Sequence, residues 1–202
     1  MKVTLDKQPV EIARPTIAEG LGRAIALAEE RGRVVIEATL DGCPLTEDQL
    51  AEPPETEMPG SELRLVSANP RALVRTTLYD TADALSESIA THKRAAEMIE
   101  SGRSEEAMDD LSEALSVWQA ARDVVDQGGE LLGEPFTATR AGAPLAQNIT
   151  RLAECLSEVK RCLAVQDWAA LSDVLAFDMD ELAQSWKRQL IDLADQLKPA
   201  DT

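Results

Sequence analysis

The side chains with the widest chemical range in this chain are one histidine, His92, and three cysteines, Cys43, Cys155 and Cys162. An imidazole titrates near neutrality and serves as general base or metal ligand. A thiol becomes a nucleophile when a base and an orienting group stand beside it. Here one histidine would have to serve every such scheme, and no cysteine lies in a CxxC pair. His92 occupies a helical slot that calls for Leu or Ile, so it is expected among packed helices. Asp178, on a later helix, is the carboxylate expected to form a buried polar pair with it. A carboxylate-bridged di-metal centre in a helical bundle needs two Glu-x-x-His motifs, which a single histidine cannot supply. Asp178-Met179-Asp180-Glu181 spreads its carboxylates around a helix and lacks the glycine of a calcium loop. Gly20-Leu21-Gly22 and Gly128-Gly129 follow no strand in a phosphate-binding setting. No catalytic residue, metal ligand or cofactor is therefore assigned.

Aromatic side chains are the other scarce resource: Trp118, Trp168, Trp186, Tyr79, Phe136 and Phe177 are all there are. Cores must then be built from Leu, Ile, Val and Ala, a palette suited to closely packed helices. Trp118 and Trp186 lie on inward stripes. Trp168 falls in a first helical turn, and exposure beside Phe136 or Phe177 would make a partner-contact surface. The net charge of −17 argues against binding a phosphate backbone or anionic lipid, so neither nucleic acid nor membrane is expected as partner. Residues 1 to 70 carry 7 basic and 13 acidic side chains, and residues 71 to 202 carry 13 and 24. This acidity supplies solubility and favours a basic protein as partner.

The elements that position these residues change in kind near residue 70. Val3 and Leu5, then Val10 and Ile12, alternate around Asp6-Lys7-Gln8-Pro9 and read as a hairpin with one buried face. A helix follows, with Thr16 and Glu19 at capping-box spacing and a stripe of Ile17, Leu21, Ala24, Ile25 and Ala28, closed by Gly32. Residues 33–40 are β-branched and strand-like, Asp41-Gly42 is a turn, residues 46–50 a helical turn, and residues 62–67 a last strand. The order is ββαββ. This order, with the strand, Gly turn and short helical turn of residues 36–50, resembles a ubiquitin-like β-grasp domain over residues 1–69. The resemblance implies a docking module. The chain ends Lys198-Pro199-Ala200-Asp201-Thr202, without the Gly-Gly terminus of a carrier or conjugation tag.

From residue 70 to 202 the periodicity is helical. Leu78, Ala82, Leu85, Ile89, His92, Ala96 and Ile99 form one stripe ending at Gly102. Ala107, Leu111, Ala114, Trp118, Ala121 and Val125 form a second, with Ser104 as cap and Gly128-Gly129 as stop. Leu145, Ile149, Leu152, Leu156, Val159 and Leu163 form a third. The fourth, capped by Asp167, runs through Leu171, Leu175, Met179, Leu182, Trp186, Leu190, Leu193 and Leu197. Short links around Gly102 and Gln166-Asp167 predict an antiparallel four-helix bundle, with a longer joint over residues 127–143. The stretch Asp167-Trp168 through Trp186 is similar to uncharacterised bacterial helical-bundle proteins, which implies a fold and no activity. Cys155 and Cys162, seven apart, share a helical face and are expected as reduced, near-core thiols. With no secretory pattern and no apolar run of the roughly 20 residues a membrane span needs, the expected location is the cytoplasm.

The fold class expected is α+β, and the function expected is non-enzymatic: a protein-binding adaptor, chaperone-like protein or scaffold. A homodimer through one helical face fits the same reading. The alternative is a small enzyme or ligand-binding protein with its site near His92, at the domain junction or in the bundle core.

Overall fold

A computed structural model describes residues 1–138 and 143–198. The chain is α+β, an N-terminal five-stranded mixed sheet followed by helices. It divides into two compact units, Met1–Leu73 and Val74–Thr202.

In the first unit β1 (Lys2–Leu5) and β2 (Gln8–Val10) form an antiparallel hairpin. Asp6 and Lys7 turn it with φ of 50° and 67°, the paired left-handed residues of a tight hairpin turn. Helix α1 (Ile17–Glu30) begins where Thr16 Oγ accepts the Glu19 amide. The Glu19 carboxylate reaches further back, accepting the amides of Ala13 at 2.6 Å and Arg14 at 2.9 Å, and these bonds hold its pKa down. Then come β3 (Val34–Leu40), β4 (Cys43–Pro44), α2 (Glu47–Ala51) and β5 (Glu62–Ala68). Sequence alternation suggests four strands. The fifth, β4, arises because Asp41 and Gly42 fold back at φ of 50° and 84°, pairing Cys43 with Leu40 before α2 starts. Two residues are too few to show a period.

The sheet order is β2-β1-β5-β3-β4, with β1 and β5 parallel and the other pairs antiparallel. In the β1–β5 register Val3 faces Leu63 and Leu5 faces Leu65. All four are buried with Ile17, Leu21, Ala24 and Ala28 of α1. Gly20 lets the helix approach this layer: a Cβ there would stand 2.8 Å from Leu63 Cδ2 and 3.1 Å from Val3 Cγ2.

The second unit contains most of α3 (Pro70–Glu100), then α4 (Ala107–Leu131), a 3₁₀ turn (Phe136–Ala138), α5 (Ala143–Val165), α6 (Trp168–Asp173), a π turn (Val174–Asp178) and α7 (Met179–Gln196). One apolar core draws on all of these segments. The fourth predicted helix is thus a composite, α6 passing through the π turn into α7. Asp167 caps it as expected, accepting the Ala170 amide at 3.2 Å. Two boundaries differ from the sequence reading. Helix α4 starts at Ala107, and its N-cap position is Glu106, without a side-chain cap bond, so Ser104 does not cap it. Gly128 and Gly129 lie inside α4, because the returning chain passes close: added Cβ atoms would meet Phe136 at 3.0 Å and Pro135 at 3.1 Å. The stop comes later, at Gly133 with φ of 74°. Residues 139–142 of the predicted joint and the tail 199–202 lie outside the described residues. Among the described residues no helix is long and apolar enough to cross a membrane.

Gly20→Val places branched carbon in a space already filled by Leu63 and Val3. Overpacking of this kind should cost the first unit about 2 kcal/mol. Amide hydrogen exchange should show lost protection in β1 and β5 with α4 to α7 unchanged. Undiminished protection in those strands would contradict the packing described.

Candidate functional site

His92, on α3, is wholly buried. Its Nε2 accepts the indole N–H of Trp118 of α4 at 3.2 Å, and the two rings stack at 6.3 Å with an interplanar angle of 17°. Trp118 in turn meets Trp186 of α7 edge-on at 5.8 Å. The Trp186 indole donates to the carbonyl of Asn148 on α5 at 3.3 Å. The Asn148 side chain exchanges hydrogen bonds with Ser185, at 2.9 and 3.2 Å. One chain of aromatic and polar contacts therefore links α3, α4, α7 and α5.

Because Nε2 accepts, the neutral imidazole carries its proton on Nδ1. Nδ1 is buried without a hydrogen-bond partner among the described residues. Burial lowers the His92 pKa from 6.5 to about 4, against a smaller upward pull from Asp180. Protonating Nε2 would also set a donor against the Trp118 donor. This imidazole is neutral and inward, which suits a packing role and withholds it from bulk solvent.

The expected His92–Asp178 pair is not formed. Asp178 is exposed at the end of the π turn, and its charge acts on Cys155. A strict heptad would bring residue 178 inward after Leu175. The π turn instead carries the stripe from Leu175 to Met179, which is buried as the stripe places it, and leaves Asp178 outside. The carboxylate within reach of His92's field is Asp180, held by Lys93 at 3.0 Å.

The expected aromatic contact surface is also divided. Phe136 is buried in the core, Trp168 is half-buried against that core, and only Phe177 stands out, 69% exposed. The buried Asn148 is a polar residue that sequence reasoning missed. It stands three residues after Leu145 and four before Leu152, the inward spacing that the expected stripe gave to Ile149 instead.

The other candidate lies in the first unit, between α1 and β3. A cavity of about 370 Å³ is lined there by residues that include Leu21, Ile25, Val34, Ile36 and Leu50. Three of these apolar side chains face solvent: Ile25 is 37% exposed, Ile36 51% and Leu50 47%. The geometry comes from a β-bulge. Val35 pairs with Ser67 and Glu37 with Val66, leaving Ile36 as the extra residue. The edge of β3 from Val34 to Ala38 borders the cavity, while the register sets Glu37 opposite Val66, on the other face from Leu63 and Leu65. Beyond β3, β4 pairs only with Thr39 and Leu40, and Leu45 donates to the Ala38 carbonyl at 3.0 Å. The bulged half of β3 is thus left uncovered by β4. No protein family, curated protein or solved structure matches this chain.

Between pH 6.5 and about 4 the unfolded chain binds a proton that folded His92 refuses. Stability of the helical unit should therefore fall as pH drops through that window, by about 3 kcal/mol from this group, and level off below it. All three tryptophans lie in this unit, so urea unfolding followed by indole fluorescence reports on it. The difference between the native chain and His92→Gln should carry this pH dependence. Superimposable pH profiles would show that His92 titrates normally.

Proposed function

We propose that this chain is a non-enzymatic, cytoplasmic docking protein, an adaptor or scaffold, whose partner surface is the α1–β3 groove. The observation carrying this reading is the grouping of Ile25, Ile36 and Leu50 around one cavity. Scattered exposed aliphatic residues are ordinary, but a cluster lining a concavity is the signature of an interaction site. On this reading the first unit is β-grasp-like, its last strand β5 central beside β1 and α1 lying across one face. The second is an antiparallel four-helix bundle acting as rigid body or spacer. The alternative of a small-molecule or catalytic site around His92 loses its support, since the imidazole is sealed against Trp118 and held neutral.

Photo-crosslinking in the host separates the candidates. A photoreactive residue at position 36 should capture a discrete protein in stoichiometric yield, and one at position 177 should not. Capture at 177 alone would move the docking surface to the helical unit. No protein captured at either position would remove the docking reading.

A further inference from the structure

The edges of the sheet indicate what kind of segment the groove takes, and this step rests on the docking reading above. Both outermost strands are closed to further pairing by proline. In each hairpin a two-residue turn makes the flanking pair, Leu5 with Gln8 and Leu40 with Cys43, exchange backbone bonds across the hairpin. The next residues, Pro9 of β2 and Pro44 of β4, therefore turn their nitrogens to the outer edge, where proline has no N–H to offer.

The first half of β3 has no such block. The Asp41 amide donates to the Glu62 carbonyl at 2.8 Å, so the even-numbered residues of β5 bond toward β3, where Thr39, Glu37 and Val34 stand opposite them. Val35 and Ala38 then point their backbone groups away from β5. The Ala38 carbonyl accepts the Leu45 amide, but β4 stops short of Val35, whose N–H and C=O meet no partner among the described residues. This open edge borders the cavity that Ile25 and Leu50 line, and it carries the half-exposed Ile36.

A free strand edge is complementary to another extended backbone. We infer that the groove takes an extended segment of a partner protein, added to β3 at Val35, with aliphatic residues at alternate positions facing α1 and Lys or Arg between them. Val35 lies opposite the buried Ser67, on the α1 side of the sheet, so side chains on that side of the added strand enter the cavity between Ile25 and Leu50. Those on the other side lie beside Glu37, which the register sets on the face away from α1 and which has no ion pair among the described residues. Opposite charges side by side on neighbouring strands stabilise the pairing, and like charges oppose it. A second copy of this chain would bring its own Glu37 and its own net negative charge to the contact.

The test uses the full isotope-labelled chain and the peptide Lys-Val-Lys-Val-Lys-Val-Lys, read by amide chemical shifts and hydrogen exchange. The peptide should shift amides of residues 34–38 at sub-millimolar concentration and slow exchange at Val35. Two further peptides carry N-methyl groups, one on the valines and the other on the lysines. A strand presents the amides of alternate residues to one edge, so one methylated form should fail and the other should bind like the parent. Glutamate in place of lysine should weaken binding by about fivefold. Val35→Pro gives β3 the block that Pro9 and Pro44 give their strands, and it should abolish the shifts while exchange protection in β1 and β5 stays intact.

Equal binding by both methylated forms would show side chains docking without strand pairing, which overturns the inference and leaves the docking surface standing. Equal binding of the glutamate peptide would overturn the alternating aliphatic and basic pattern. A dimer of the native chain that Val35→Pro abolishes would make a second copy the occupant and overturn it as well. Silence from the parent peptide at millimolar concentration would also overturn it, and a crosslink at position 36 in the host would then show that the docking reading survives.

Discussion

The parallel pairing of β1 with β5 is the constraint on which the first unit depends. Antiparallel neighbours can be joined by a tight turn, but parallel ones need a crossover, and here everything from the hairpin to α2 forms that crossover. The pair places Val3, Leu5, Leu63 and Leu65 on one face, and the helix α1 closes over them at Gly20. A polar clasp holds the same strands at one end. Asp6 accepts the Ser67 amide at 2.8 Å and its hydroxyl at 2.6 Å, and the bonds from Ser67 hold the Asp6 carboxyl below its usual pKa. Arg33 joins the clasp, which fixes the start of β3 against β5. The groove inherits its walls from this arrangement: α1 is seated on β1 and β5, and β3 hangs from β5.

The helical unit solves a different problem. With so few aromatic residues, its centre is marked by Trp118 and Trp186, and the Trp118 indole N–H needs an acceptor once buried. His92 provides one, which explains an imidazole in a slot that sequence periodicity reserves for an aliphatic residue. The cost is an Nδ1–H with no partner among the described residues, and a buried donor left without one is expensive. Neutrality limits that cost, since a charged imidazole in the same position would add the penalty of a buried ion.

Periodic features of the chain were legible in its sequence. The hairpin, the Thr16 cap, the α1 stripe except Ile25, which faces solvent, the Asp167 cap and the burial of Trp118, Trp186 and Cys162 all follow from local pattern. What local pattern misses are departures from regular spacing that only tertiary contact explains. Gly128 and Gly129 look like a helix stop, yet the passage of Pro135 and Phe136 makes them an indentation within α4. Asp178 looks inward by heptad count, yet one π turn displaces it. Asn148 has inward spacing between Leu145 and Leu152, but the Ser185 and Trp186 partners that satisfy a polar residue there lie on another helix.

The groove was illegible for the same reason. In β3 the sequence Val34-Val35-Ile36-Glu37-Ala38 reads as an ordinary strand, with Ile36 in the core and Glu37 in solvent or the reverse. A bulge is a relation between two strands, so its position cannot be read from one of them. Once it is placed, Ile36 is the extra residue between the Val35 and Glu37 pairs and is left half exposed. Exposing about half of Ile36 forgoes burial worth about 1 kcal/mol. The stretch of β3 that β4 leaves unpaired is therefore also the stretch that exposes an isoleucine, and both follow from where the bulge falls.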